Sequence, residues 1–114
     1  MCRLLGRENR LRSSAEFKAV YRGGRLYPGR LVMLYVFREG SGKKAGIVVS
    51  RRIGGAVKRN RVRRLIREAV RKHLPEIPEG IRMVLTARSG AAEAPFEAVQ
   101  AEVTGLLVKA GLME

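Results

Sequence analysis

The 114-residue chain has no aspartate, no tryptophan and a single cysteine, Cys2. Each absence removes a class of function. A protein-borne two-metal nuclease site needs clustered carboxylates to hold its ions. Here residues 1–74 carry only four scattered acids, Glu8, Glu16, Glu39 and Glu68. The lone cysteine leaves neither an internal disulfide nor a zinc finger, so a reducing, cytosolic setting is the default and Cys2 is read as incidental. No apolar run approaches the roughly 20 residues of a membrane-spanning helix. The N-terminus also lacks the apolar centre of a signal peptide.

What is abundant is positive charge. Lys and Arg number 24 against 10 Asp and Glu, a formal net charge of +14, while the apolar fraction of 46% is too high for a disordered polycation. Such a balance points to a densely anionic partner, either nucleic acid or an anionic membrane. Residues 1–74 hold 21 of the bases and a net +17, and residues 75–114 a net −3. The binding surface therefore belongs to the first two thirds of one domain, residues 1–114. Arg outnumbers Lys 18 to 6, which favours bidentate phosphate contacts and stacking.

Residues 1–12 lack apolar periodicity and read as an extended basic arm. Ser13 and Glu16 form a capping-box pattern that opens a short helix to about Tyr21, ended by Gly23-Gly24. Residues 25–37 read as extended chain broken at Pro28-Gly29. Val32, Leu34 and Val36 make one face, and Leu31, Met33, Tyr35 and Phe37 the other, one of the two being core and the other semi-exposed. After the turn EGSGKK, Ala45–Ser50 reads as the antiparallel return strand. A long helix follows from about Ala56 to Leu74, stopped by Pro75 and Pro78. Residues 81–87 form another strand, and a last helix runs from Pro95 to about Ala110. The order predicts an α+β protein built on one sheet.

At roughly 100° per residue, Val62, Leu65, Ile66, Ala69, Val70 and His73 gather on one stripe of the long helix, with His73 at its boundary. Asn60, Arg63, Arg64, Arg67 and Arg71 gather opposite, with Arg59 and Arg61 at the flanks. A merely solvated face mixes charge signs. This one runs from Lys58 to Arg67 with six bases and no acid, a self-repelling arrangement that a polyanion relieves. Glu68, the exception, is read as a partner of Arg64 or Arg71. Membrane binding is disfavoured because the stripe lacks Trp and Phe. A helix-turn-helix DNA reader is disfavoured because a strand precedes the helix. Aromatics on a sheet face favour unpaired RNA.

The run SRRIGGAVKRNRVRRLIREA, Ser50 to Ala69, resembles the signature of the protein subunit of bacterial ribonuclease P. The segments ENRLRSSAEFKAVYRGG, RLVMLYVF and VLTARSG, and the final helix, fall in that family's order. The resemblance implies an α-β-β-β-α-β-α two-layer sandwich with one mixed sheet packed by helices and a left-handed crossover through the arginine-rich helix. It is the fold of the second domain of a small-subunit ribosomal protein. It also implies a bacterial, cytoplasmic ribonucleoprotein in which the RNA subunit is the catalyst. That RNA would use Mg2+, bound mainly through itself, to remove the 5′ leader of precursor tRNA. The protein chain alone would be an inactive accessory subunit with no catalytic or metal-binding residue, and neither DNA nor membrane would be a partner. Carried over by position, Arg59, Asn60 and Arg61, continued by Arg64 and Arg67, face the catalytic RNA, and Lys58, Arg63 and Arg71 are assigned with them. The leader falls to Phe17, Tyr21 and Tyr35, flanked by Arg10, Arg12 and the pair Arg51-Arg52. Tyr21 stands where the family has phenylalanine, and the arginine pair where it usually has lysines. By helical spacing alone, Phe17 is more often a core residue than a contact, and Tyr35 is even between the two. A ribosomal or ribosome-assembly scaffold remains the alternative function.

Overall fold

The computed structural model describes residues 10–11 and 13–114. Among these, the regular elements are α1 (Ser14–Gly23), β1 (Arg25–Pro28), β2 (Val32–Arg38), β3 (Lys43–Val48), α2 (Ala56–His73), β4 (Ile81–Ala87) and α3 (Phe96–Lys109). Short 3-10 turns lie at Arg51–Ile53, Leu74–Glu76 and Ser89–Ala92. The arm expected over residues 1–12 lies outside the described residues except for Arg10 and Leu11. Those two lie along β3, where Arg10 bridges Ala45 in parallel and the Leu11 amide donates to the Ala45 carbonyl at 3.1 Å.

Helix α1 begins at the expected capping box. The Ser13 side chain accepts from the Glu16 amide at 3.2 Å, and the Ser13 amide donates to Glu16 Oε1 at 3.0 Å. Its end is fixed by crowding. A Cβ on Gly23 would lie 2.6 Å from the Phe37 ring, and one on Gly24 2.4 Å from the Val20 carbonyl oxygen. Only glycine lets the chain turn from helix into β1 that close to the sheet.

The sheet order is β1-β2-β4-β3. Strands β1 and β2, and β2 and β4, pair antiparallel, whereas β3 pairs β4 in parallel, with Ala45 against Met83 and Ile47 against Leu85. Strand β3 thus runs antiparallel to β2, as expected of a return strand, but it does not pair with β2, because β4 lies between them. The chain does reverse after β2, at a turn where Gly40 and Gly42 adopt positive φ. That turn is pinned, however, by the residues leading into β4. The Glu39 amide donates to the Gly80 carbonyl, the Gly80 amide to the Gly42 carbonyl, and the Gly42 amide to Glu79 Oε1. Strand β4 then occupies the space between β2 and β3. It suits a central position because Ile81, Met83, Val84, Leu85 and Ala87 bury both of its faces.

The main core fills the layer between the sheet and the α2–α3 pair, with Val32, Leu34, Val36, Met83 and Leu85 against Val62, Ile66, Val70, Val103 and Leu107. On the opposite face, α1 forms a partial cover over Leu11, Val20 and Val84, joined by half-buried Phe17, Tyr35, Phe37 and Val48. The two-layer core and the mixed sheet are as expected. From α3, Glu102 accepts the Leu31 and Val32 amides at 2.5 and 2.7 Å, fixing the start of β2.

Candidate nucleic-acid interface

The apolar stripe of α2 is the one its spacing predicts. Val62, Ile66, Ala69, Val70 and His73 are buried, and Leu65 packs half-buried beside them. His73 is 9% exposed, with Nε2 2.8 Å from Thr104 Oγ1 and Nδ1 3.3 Å from Glu76 Oε2, so it ties α2 to α3. With that stripe in the core, Val57, 84% exposed, is the one large apolar side chain α2 offers to solvent. Among the described residues no helix is long and apolar enough to cross a membrane.

The basic side of α2 divides into three parts. Facing outward, Asn60 and Arg64 are exposed, and Arg63 Nη1 donates to Asn60 Oδ1 at 3.2 Å. On one flank Arg63 and Arg67 lean towards β3. With Arg10, Leu11, Phe17 and Ala45–Ile47 they line a recess of about 140 Å³. Three guanidinium groups thus converge beside one aromatic ring. Partial burial, then repulsion from Arg63 and Arg10, lowers the Arg67 pKa below the ordinary arginine value. On the other flank Arg61 donates to the Ala92 and Ala94 carbonyls, and Lys58 pairs with Glu93 at 3.1 Å. Glu68 pairs with Arg71 at 3.0 Å, one of the two partners expected for it. Arg59 is half-buried, with its Nε enclosed and without an acceptor. Among the described residues no carboxylate pairs with Arg10, Arg59, Arg63, Arg64 or Arg67.

Across the sheet edge, α1 and the other sheet face form a groove. Phe17 and Tyr35 are half-buried and pack on Leu11, Val20 and Val84, so each is both core edge and groove wall. The Tyr21 ring stands edge-on to Tyr35, centroids 4.9 Å apart at 86°, and is 42% exposed. Beyond the rings a recess of about 280 Å³ is lined by Met33, Ser50, Arg52, Ile53, Ala87, Arg88 and Ser89. Arg52 therefore borders the groove, Arg51 is exposed in the same 3-10 turn, and Arg12 lies outside the described residues.

Sequence reasoning missed Gly46, Leu26 and Arg88. A Cβ on Gly46 would sit 2.5 Å from the Phe17 ring, so this glycine lets the ring lie against β3. A glycine inside a strand run is itself a signal of close approach. Leu26 is opposite Tyr35 in register and 43% exposed, extending the groove to β1. Arg88 carried no periodic signal, because a loop places it.

Among the described residues no three His, Cys, Asp or Glu side chains come together. With a cationic surface and no aspartate, the residues present do not fit a Mg2+ site.

An α+β sheet with an arginine helix on one side and an aromatic groove on the other defines the class: an RNA-binding protein. The family model described as Ribonuclease P matches residues 5–111. The chain is 37% identical over 109 residues to the ribonuclease P protein component of Clostridium novyi (strain NT), covering 93% of this chain and 96% of the relative. It is 45% identical over 101 residues to that of Acidothermus cellulolyticus, covering 86% and 84%. The solved ribonuclease P protein of Staphylococcus aureus superposes with a TM-score of 0.85 at 26% identity, covering 92% of this chain and 97% of that one. That of Thermotoga maritima gives 0.79 at 26%, covering 89% and 96%. The chain belongs to the ribonuclease P protein family. Its function is that of the protein component of ribonuclease P, a subunit of an endoribonuclease holoenzyme that works with an RNA subunit on an RNA substrate. Nothing in these relationships favours the ribosomal scaffold.

Proposed function

We propose that the RNA subunit carries the catalytic chemistry, with Mg2+ bound mainly through RNA, and that this chain supplies two contact surfaces. The α2 face, through Arg59, Asn60, Arg63, Arg64 and Arg67, binds the catalytic RNA. Lys58 and Arg71, each paired with a carboxylate, complete its positive field, whereas Arg61 is bonded to protein carbonyls. The groove of Phe17, Tyr21 and Tyr35, bordered by Arg10, Arg12, Arg51 and Arg52, holds the single-stranded 5′ leader of precursor tRNA. The setting is the bacterial cytoplasm. One observation carries this reading: an aromatic groove bordered by guanidinium groups that, among the described residues, no carboxylate pairs with. Rings stack on any base, and guanidinium groups follow the phosphates, so a leader of variable sequence suits the groove. Fixed cations also replace diffuse ones, lowering the Mg2+ needed to hold substrate.

The test is reconstitution at low Mg2+ with the cognate RNA and precursor tRNA. Cleavage is expected only when chain and RNA are both present, and cleavage by the chain alone would refute the assignment. Tyr35→Ala is expected to weaken precursor tRNA about 5- to 100-fold, the loss of one stacked base, and to leave mature tRNA unchanged. Equal losses on both would rule out the groove as the leader site.

A further inference from the structure

The flank of α2 that carries Arg61 faces protein. Arg61 is half-buried, and its two terminal nitrogens donate to consecutive turns of one loop, Nη2 to the Ala94 carbonyl at 3.0 Å and Nη1 to the Ala92 carbonyl at 3.4 Å. One helical turn earlier, Lys58 Nζ lies 3.1 Å from Glu93 Oε2. Residues 92, 93 and 94 are thus all held by the same side of the helix. The loop passes this restraint back along its own backbone. Ala94 donates to the Ala91 carbonyl, Ala91 to the Arg88 carbonyl, and Arg88 to the Leu31 carbonyl at 2.8 Å, with Ala91 and Ala94 buried. At the far end, Arg88 and Ser89 form part of the wall of the 280 Å³ recess, together with Ser50, Arg52 and Met33, which shares a face of β2 with Tyr35.

We propose that Arg61 is a positioning residue that sets this wall through the 88–94 loop, and that it does not itself touch RNA. The resemblance that assigned Arg61 to the catalytic RNA with Arg59 and Asn60 does not separate the three, whereas the hydrogen bonds do. A planar guanidinium can span two carbonyls and hold both in a fixed relation. The ammonium of a lysine is a point donor that satisfies one at a time.

The proposal rests on the groove being the leader site, so the test carries controls for that reading. Arg61→Ala, Arg61→Lys, Arg64→Ala and Tyr35→Ala are compared in the reconstituted holoenzyme. Amide hydrogen exchange is measured on each free protein. Both Arg61 variants are expected to raise KM several-fold for a long-leader precursor, with kcat unchanged. Their affinity for the catalytic RNA should stay within about twofold, with an unchanged salt slope. Exchange across residues 89–98 should accelerate. Arg64→Ala should instead weaken catalytic-RNA binding and make the salt slope shallower by about one contact. Arg61→Lys keeps the charge and most of the stem, so the comparison stands should Arg61→Ala not fold.

If Arg61→Lys matches the native chain while Arg61→Ala loses RNA affinity and slope, Arg61 is a charge contact and the proposal is wrong. It is equally wrong if exchange accelerates without any leader-dependent change in KM, which would make Arg61 a stability residue alone. Failure of Tyr35→Ala to distinguish long from absent leaders would overturn the groove reading itself, whatever the Arg61 variants do.

Discussion

Arg67 sits between the two surfaces, half-buried against β3 with Arg63 and Arg10 as its charged neighbours. Its pKa is lowered first by burial and then by those neighbours, so in the free protein its charged form is disfavoured relative to solvent. Arg67→Gln should therefore leave the melting temperature of the free protein equal or higher, while weakening RNA binding. Added salt should raise the melting temperature of the native chain more than that of the variant, because screening relieves the repulsion. Thermal melts over a salt series check this, and a melting temperature lowered by the substitution would contradict it. At this scale the one-sided placement of Phe17 and Tyr21 on α1 and the strand position of Tyr35 were legible in spacing, while their assignment to the leader came only from the family resemblance. Gly46 and Arg61 were not. Their roles depend on which ring or loop the fold brings to them, and no local period records that.

The elements carry their own evidence of how much can be read locally. Helix α1 starts where Ser13 and Glu16 say it should, because both capping bonds lie within one turn. Ser13→Ala should cost about 1 kcal/mol, read as a lower urea midpoint at unchanged slope. It should also weaken precursor tRNA less than Tyr35→Ala, since α1 carries Phe17 and Tyr21. Strand β3 shows the limit. The glycine turn before it is a local signal of chain reversal, and reversal does occur. Which strand fills the adjoining position is decided by β4, some forty residues on, whose two apolar faces claim the centre of the sheet. Glu102 belongs to the same category, since a carboxylate on α3 that serves amides at the start of β2 has no signature nearby. Glu102→Ala leaves two amides without that acceptor and should destabilise by about 1–3 kcal/mol for each that stays buried and unsatisfied. Equilibrium denaturation measures it, and a change under about 0.5 kcal/mol would show that water replaces the carboxylate.

Over the whole molecule the charge is divided, with the bases in residues 1–74 and a net −3 in residues 75–114. On and beside α2, Arg10, Arg59, Arg63, Arg64 and Arg67 are five of the arginines without a carboxylate partner among the described residues. If each neutralises one phosphate, the log–log dependence of RNA affinity on salt should have a slope of roughly −3.5 to −4.5. Filter binding over a salt series measures it, and a slope shallower than about −2 would mean that most of them miss the backbone. The uneven field should also orient the protein as it approaches RNA, presenting the two proposed surfaces first.

The placement of Arg10 and Leu11 along β3 has a further effect. An open sheet has two outer strands whose unpaired amides and carbonyls invite pairing with another copy. Here β1 is four residues long and ends in Pro28, while β3 begins with Lys43 and Lys44 and is bridged by Arg10. Each border is thus short, charged or occupied, which guards against edge-to-edge aggregation. The stretch proposed to border the leader site thus also guards the unassembled protein against pairing with itself.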